Sequence, residues 1–357
     1  MGKDEMTNGS AKWIKCVGFE TEIPPLQWGG GQAEQHMPIQ DEGGLGMFEK
    51  TFAVKGVKSA VIDATALGVF DLWINGRRVV SGDVADELKP GWSDYNKHVM
   101  YYTYDVAGYL REGLNTVLAV LASGWYAGRI SFGTYKDPVI SFMAALHYED
   151  ADGRHDIYTD ESWLCFKGGR IRKSDIWDGE YIDFNQPCFR RLSMPEASRE
   201  GWRPAESREV DIEITPKVGP SVQVRDFSVE PKTLTIYEGA KDNGTDFGEI
   251  NVVSVSDKAD SFELKKGQTA VIDFGQNMVG WPEFDAAGEA GTHVMVRFAE
   301  MLNDSGERAR GNDNPKGSVY TINYRSAKAK LQCVLSDAAK NHVRPTFAFY
   351  EIGRAHV

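Results

Sequence analysis

The sequence predicts an all-β protein built from two consecutive antiparallel, jelly-roll-like β-sandwiches. Three observations predict it. Apolar residues recur with period two, the marked strands are rich in β-branched and aromatic residues, and Gly, Asn and Asp punctuate them at short intervals. Long amphipathic helical patterns are absent, so helix is expected only as short turns.

Taken in order, the first clear strand is Val69 to Ile74, where Phe70, Leu72 and Ile74 share a face. Asn75-Gly76 then supplies the two left-handed positions of a tight hairpin turn, and Arg77 to Val80 returns. Asp105 opens DVAGYL, read as one helical turn capped by the aspartate. Glu112-Gly113 turns the chain into the apolar strand Thr116 to Leu121. Ser193 to Glu209 is polar, carries two prolines and has no sustained strand pattern, so it is a connector. The second half resumes with strands at Thr269 to Phe274, Met278 to Phe284 and His293 to Glu300, with turns at Gly275 and Gly291. Tyr237 to Asp260 is polar and contains glycines, and reads as a surface loop or small hairpin. No internal repeat and no low-complexity tract is present. The resulting division is an N-terminal extension with an edge strand (1–45), a first sandwich (46–192), a connector (193–215) and a second sandwich (216–350).

A chain of 357 residues, 41% of them hydrophobic, has ample material for two cores. The net charge of -12 excludes a general attraction to phosphate backbones or anionic lipid, so neither nucleic acid nor membrane is an expected partner. Met1 to Ser10 lacks the apolar core of a secretory signal, and cytoplasmic residence is expected, export staying open if the start is incomplete. The four cysteines, Cys16, Cys165, Cys188 and Cys333, lie far apart with no metal-ligand spacing, and are read as buried, reduced thiols. Neither cofactor nor metal is expected. His36, His98, His147, His155, His293, His342 and His356 are scattered, and none reads as a catalytic base. With 52 acidic residues, neighbours such as Asp86 and Glu87, or Asp178 and Glu180, arise by composition and read as solvated loop charges.

Sugar recognition is the chemistry that the residues favour. A pyranose presents apolar C–H faces ringed by hydroxyls, so sites stack it on Trp or Tyr beside Asp, Asn or Arg. Two aromatic-polar clusters in glycine-flanked loops qualify: Trp92, Asp94 and Tyr95, and Trp125, Tyr126 and Arg129. The competing reading is that these rings pack a sandwich edge.

The runs LWINGRRV (Leu72 to Val79), GWSDY (Gly91 to Tyr95) and DFGQNMVGW (Asp273 to Trp281) resemble, in order and spacing, the N-terminal, non-catalytic region of bacterial α-L-rhamnosidases. YYTYDV, LREGLN, GWYAGR, IRKSDIWDGE and FAEMLNDSG, beginning at Tyr101, Leu110, Gly124, Ile171 and Phe298, extend the resemblance over residues 45–350. It implies that the first sandwich is of the galactose-binding-like kind. It also implies that the parent is an inverting glycosidase acting on L-rhamnose-containing plant glycosides or pectic glycans, whose acid and base sit on a following (α/α)6 barrel. No carboxylate here inherits either role, and this chain alone is expected to be inactive. The resemblance places Glu300 and Asn303 at a possible active-site edge, gives Glu180 a structural role, and has Trp281 sealing a core or the seam to the barrel. Where some relatives bind calcium before the ING turn, this chain has Ala66-Leu67-Gly68, which cannot supply the ~6–8 oxygens that calcium needs.

Ile352 to Val357 can be written ATC GGA AGA GCA CAC GTC, which resembles a sequencing adapter read in frame. Residues 351–357 are therefore expected to be an adapter-derived tail outside the fold. Two rival functions stand beside the accessory-region reading. One is a stand-alone carbohydrate-binding module without catalysis, and the other is a front sandwich from another, β-galactosidase-like, glycosidase.

Overall fold

A computed structural model describes residues 6, 10–16, 18, 38–82, 85–130, 133–134, 137–223, 228–241, 248–306, 314–324 and 326–356. They form two compact units. The first holds Asp41–Asp175 and Asn185–Arg225 together with the strand Trp13–Lys15, and the second holds Ile176–Phe184 and Asp226–Val357. The architecture is all-β, with helix confined to single turns such as Ala107–Tyr109, Gly124–Ala127 and Phe189–Leu192.

The first unit is a sandwich of two sheets. One runs Glu206–Arg208, Trp13–Lys15, Ser141–Asp150, Ser59–Leu67, His98–Asp105, Glu213–Pro216, with Gly153–Tyr158 also paired to Ser141–Asp150. The other runs Arg203–Pro204, Leu164–Gly168, Leu45–Val54, Gly113–Ala122, Val69–Ile74, Arg77–Arg78. Phe142 of the first sheet meets Phe48 and Phe70 of the second at 6.1 and 6.0 Å, and Trp163 at 6.0 Å. All four rings are buried, each contributing about 2–3 kcal/mol of apolar transfer free energy. The turn expected at Asn75-Gly76 is present, with φ of 51° and 80°, and a Cβ on Gly76 would lie 2.5 Å from Met194 Sδ. The expected helical turn is present as Ala107–Tyr109, but its N-cap is Val106 and not Asp105; Asp105 Oδ1 accepts the Ala107 N–H at 3.0 Å from one residue further out.

Several expectations need correction. The connector is woven into the sandwich: Cys165 pairs with Arg203, Trp13 with Arg208, and His98 with Glu213 in parallel. Its strands are short and polar because they lie at sheet edges, where backbone pairing is needed but an apolar face is not. The N-terminal strand Trp13–Lys15 is not an edge, since it lies between Glu206–Arg208 and Ser141–Asp150. Ile176–Phe184 leaves the first sandwich for the second unit. Cys16 and Cys165 are joined in a disulfide, leaving Cys188 and Cys333 free.

The four acidic residues read as solvated are buried. Glu87 and Asp71 flank Arg78, with N–O distances of 2.5 and 2.7 Å, and Lys89 closes on Asp71 at 2.8 Å. Burial opposes ionisation of Asp71, but Arg78 and Lys89 outweigh it and hold the carboxyl below its ordinary range. Asp86 accepts from Gln223 Nε2 at 3.1 Å, Asp178 lies 3.6 Å from Lys328, and Glu180 is enclosed by backbone N–H groups. Spacing along the chain could not reveal these partners, because each lies on another strand or loop.

In the second unit the strand order is Gly179–Asp183, Lys330–Val334, His293–Ala299, Tyr350–His356, Gln268–Gly280, Thr233–Ala240, Gly248–Ser256. Gly179–Asp183 runs parallel to Lys330–Val334, and the other pairs are antiparallel. Phe298 stacks on Tyr350 at 4.1 Å, in a core that includes Leu331, Cys333 and Val343. Thr233–Ala240 and Gly248–Ser256 form the small hairpin, and residues 242–247 between them lie outside the described residues. Gly275 does not end a strand. It takes φ 67° inside the continuous Gln268–Gly280, at a register shift between Asp273 and Met278. Trp281 is half-buried, with the Arg344 guanidinium 5.6 Å from its ring centroid. The segment expected to be a tail outside the fold pairs on both sides as Tyr350–His356. Backbone hydrogen bonds do not depend on side-chain identity, so a strand slot selects for extended chain more than for sequence.

Candidate functional site

The two aromatic clusters of the first unit come together as one patch. Each tryptophan follows a left-handed glycine. Gly91 has φ 89° and Gly124 has φ 55°, and a Cβ on Gly124 would fall 2.6 Å from Val69 Cγ1. Such turns aim the next side chain off the strand path, and both indoles project to the same place. The rings of Trp92 and Trp125 lie 9° from parallel with centroids 6.3 Å apart. Trp92 is 55% exposed, whereas Trp125 is half-buried on the helical turn Gly124–Ala127.

Beneath them the tyrosines are core residues. Tyr95 and Tyr126 are buried edge to face at 5.2 Å, and the Tyr95 hydroxyl donates to the Gly91 carbonyl at 3.2 Å. Burial pushes the Tyr126 hydroxyl pKa up. Asp94 is turned into its own loop: Oδ1 accepts the Asn96 N–H at 3.1 Å and Oδ2 lies 3.4 Å from Lys97 Nζ. The Asn96 N–H leads the causes that lower its pKa. Arg129 is buried, and its backbone N–H donates to Asp175 Oδ2 at 2.9 Å. Of the six candidates, then, the two tryptophans form the surface and Tyr95, Tyr126 and Arg129 lie inside.

The second candidate locus lies in the other unit. Asn303 is buried and holds a hairpin, with Nδ2 donating to Ser318 Oγ at 3.0 Å and to the Val319 carbonyl at 3.1 Å. Glu300 is half-buried and accepts from Asn323 Nδ2; burial, then the charge of Glu351, raises its pKa. Asn303 is therefore engaged in structure, and Glu300 is the more accessible of the two. Ala66 and Leu67 are buried apolar side chains. Among the described residues no cluster of three or more His, Cys, Asp or Glu could hold a metal, and no helix is long and apolar enough to cross a membrane.

Family models match both halves of the chain. The α-L-rhamnosidase N-terminal domain matches residues 55–226, and the bacterial α-L-rhamnosidase concanavalin-like domain matches residues 263–352. An α-L-rhamnosidase of Streptomyces avermitilis is 30% identical over 90% of this chain and 27% of its own length. One from Alteromonas sp. is 29% identical over 98% of this chain and 32% of its own. The crystal structure of Streptomyces avermitilis α-L-rhamnosidase complexed with L-rhamnose superposes with a TM-score of 0.70 at 29% identity, covering 88% of this chain and 27% of that one. The chain thus spans about a third or less of the length of the curated relatives it matches.

Proposed function

This chain belongs to the bacterial α-L-rhamnosidases, and we propose that the protein it builds removes terminal α-L-rhamnose from plant glycosides or pectic glycans by inverting hydrolysis. One observation carries the reading. Both matched domains are rhamnosidase domains, in the family's own order, and they are the N-terminal and concanavalin-like parts of proteins three times longer.

Within that protein, this chain supplies accessory β-domains. Inverting hydrolysis needs two carboxyl groups ~6.5–9.5 Å apart across a bound sugar, one to protonate the leaving oxygen and one to activate water. Of the six candidate residues in the aromatic patch only Asp94 carries a carboxyl, and it is tied to Asn96 and Lys97. Glu180 binds backbone N–H groups, and Asp71 and Glu87 are neutralised by Arg78 and Lys89. These groups hold the fold.

The test starts from genomic DNA read across codon 350 and beyond. The product of the longer frame is incubated with an aryl α-L-rhamnoside, and the first-formed sugar is followed by proton NMR. β-L-Rhamnose is expected first. Release of the α anomer first, or no release, would overturn the proposal, and turnover by the purified 357-residue chain would overturn its accessory role.

A further inference from the structure

We infer that the edge strand Gly248–Ser256 of the second unit is a contact surface for a second copy of this chain, paired antiparallel about a two-fold axis. The inference rests on the strand's register and stands independently of the hydrolytic reading.

Gly248–Ser256 ends its sheet, and among the described strands only Thr233–Ala240 pairs with it. Asn251 to Val255 are all exposed, the three valines Val252, Val253 and Val255 by 57%, 53% and 68%. An outer strand edge offers a row of backbone N–H and C=O groups that another extended chain can take up, and native edges are blunted against this by Lys, Pro or an inward charge. The run Ile250 to Ser256, INVVSVS, carries none of these. A bulge interrupts it, with Val253 as the extra residue between the pairs Val252–Tyr237 and Ser254–Ile236.

The bulge also points to the partner. Because Val253 is extra, Val252 and Val255 pair with Tyr237 and Thr235, two ladder steps apart, and so share one face and one backbone orientation. Residues that share both can face each other across a two-fold axis, which sets Val252 of each copy opposite Val255 of the other. In that register Glu249 falls opposite Lys258 of the second copy at both ends, and both side chains are exposed. Glu249 Oε2 accepts from Asn251 Nδ2 at 3.4 Å, and Oε1 remains for the lysine. Two chains of net charge -12 repel at a distance, so a surface they share has to be locally uncharged or locally complementary. This edge is uncharged at its centre and complementary at its ends. One strand edge buries less than the ~1,000 Å² of a stable complex, which sets a reversible association with a dissociation constant on the order of 100 µM.

Sedimentation velocity on the 357-residue chain tests this, over concentrations from about a tenth to ten times that constant. A monomer–dimer equilibrium is expected. Val255→Lys should weaken it by about tenfold or more. Glu249→Lys and Lys258→Glu should each weaken it as well, and the double variant should restore most of it, because the ion pair is rebuilt across the axis. All four variants change exposed side chains and should keep the parent's circular dichroism and melting temperature, so a lost dimer is distinguished from a lost fold. A monomer at every concentration would overturn the proposal, and protected Val252 and Val255 amides in that monomer would assign the edge to another part of the chain. A dimer indifferent to Val255→Lys, a double variant no better than the singles, or open-ended assemblies, which a closed two-fold pair does not form, would each overturn it too.

Discussion

The side-chain amide of Asn75 donates to Asn115 Oδ1 at 2.7 Å, and this contact locks the Asn75-Gly76 turn to the start of the strand Gly113–Ala122. Both amides are saturated. Asn75 also donates to the Tyr109 carbonyl at 2.9 Å and accepts the Thr116 N–H at 3.0 Å. Asn115 donates to the carbonyls of Arg111 and Gly113 and accepts the Arg111 N–H. The INGRR and LREGLN runs are thus two halves of one hydrogen-bonded corner. Asn115→Ala strands several buried partners and is expected to cost about 2–3 kcal/mol in urea unfolding. Asn75→Ala should cost a similar amount, with strain at φ 51° added. The double variant should fall short of the sum by about 1 kcal/mol, whereas strict additivity would show that the contact carries nothing.

Cys16 and Cys165 close a loop of 149 residues inside the first sandwich. A cross-link over that separation restricts the unfolded chain, and its loss should destabilise the protein by about 2–4 kcal/mol. Reduction and the Cys16→Ala/Cys165→Ala pair are each expected to lower the melting temperature, both to the same extent. Alkylation of the denatured, unreduced chain should label two of the four cysteines. Labelling of all four would remove the bond from the account. Disulfides persist in oxidising compartments and are rare in the cytosol, so the same thiol count bears on the cytoplasmic residence expected from the N-terminal sequence.

A pH effect follows from Asp150. Its carboxylate accepts the N–H groups of Lys55 and Asp152, at 3.0 and 2.8 Å, and lies 2.9 Å from His155 Nε2. The Lys55 N–H leads in holding its pKa down at about 2. A carboxyl depressed below its unfolded value of ~3.9 stabilises the fold fully above that value, and the contribution is lost as pH falls from about 4 through about 2. Asp150→Asn should therefore melt lower than the parent at pH 6 and converge with it near pH 2. A gap of constant size across that range would sink the assignment.

The all-β class and the hairpin turns were legible because period-two patterning and Asn-Gly steps are local signals. Trp92 and Trp125 were legible as candidates because indoles beside glycines are not required by a strand. What the sequence concealed has one cause: the partner has no fixed spacing along the chain. Arg78 selects Asp71 nearby but also Glu87, Cys165 selects Cys16, and Glu206–Arg208 selects Trp13–Lys15, none of which has a fixed spacing. Tyr95 and Tyr126 stood between a sugar site and sandwich packing, and spacing could not decide it because each packs on the other across two separate loops.

Glu180 offers the sharpest test of the second unit, because a charged side chain with no exposed surface binds the backbone of a loop there. Its carboxylate accepts the Thr346 N–H at 2.9 Å and the Phe347 N–H at 3.0 Å, and its own N–H donates to the Tyr350 hydroxyl at 3.2 Å. That hydroxyl donates onward to the Lys330 carbonyl at 2.9 Å, and burial raises its pKa far above the ordinary range. The carboxylate thus fixes the residues that lead into Tyr350, and Tyr350 carries the strand between Gln268–Gly280 and His293–Ala299. Glu180→Gln preserves volume but replaces one acceptor oxygen with an amide that points N–H at N–H. Charge-assisted bonds of this kind are worth ~1.5–3 kcal/mol, so the variant is expected to lose about 2–4 kcal/mol. Hydrogen exchange localises the effect: protection of the Thr346 and Phe347 amides should drop in Glu180→Gln ahead of the neighbouring strands. Unchanged protection at those two amides would mean that the loop is held by something else.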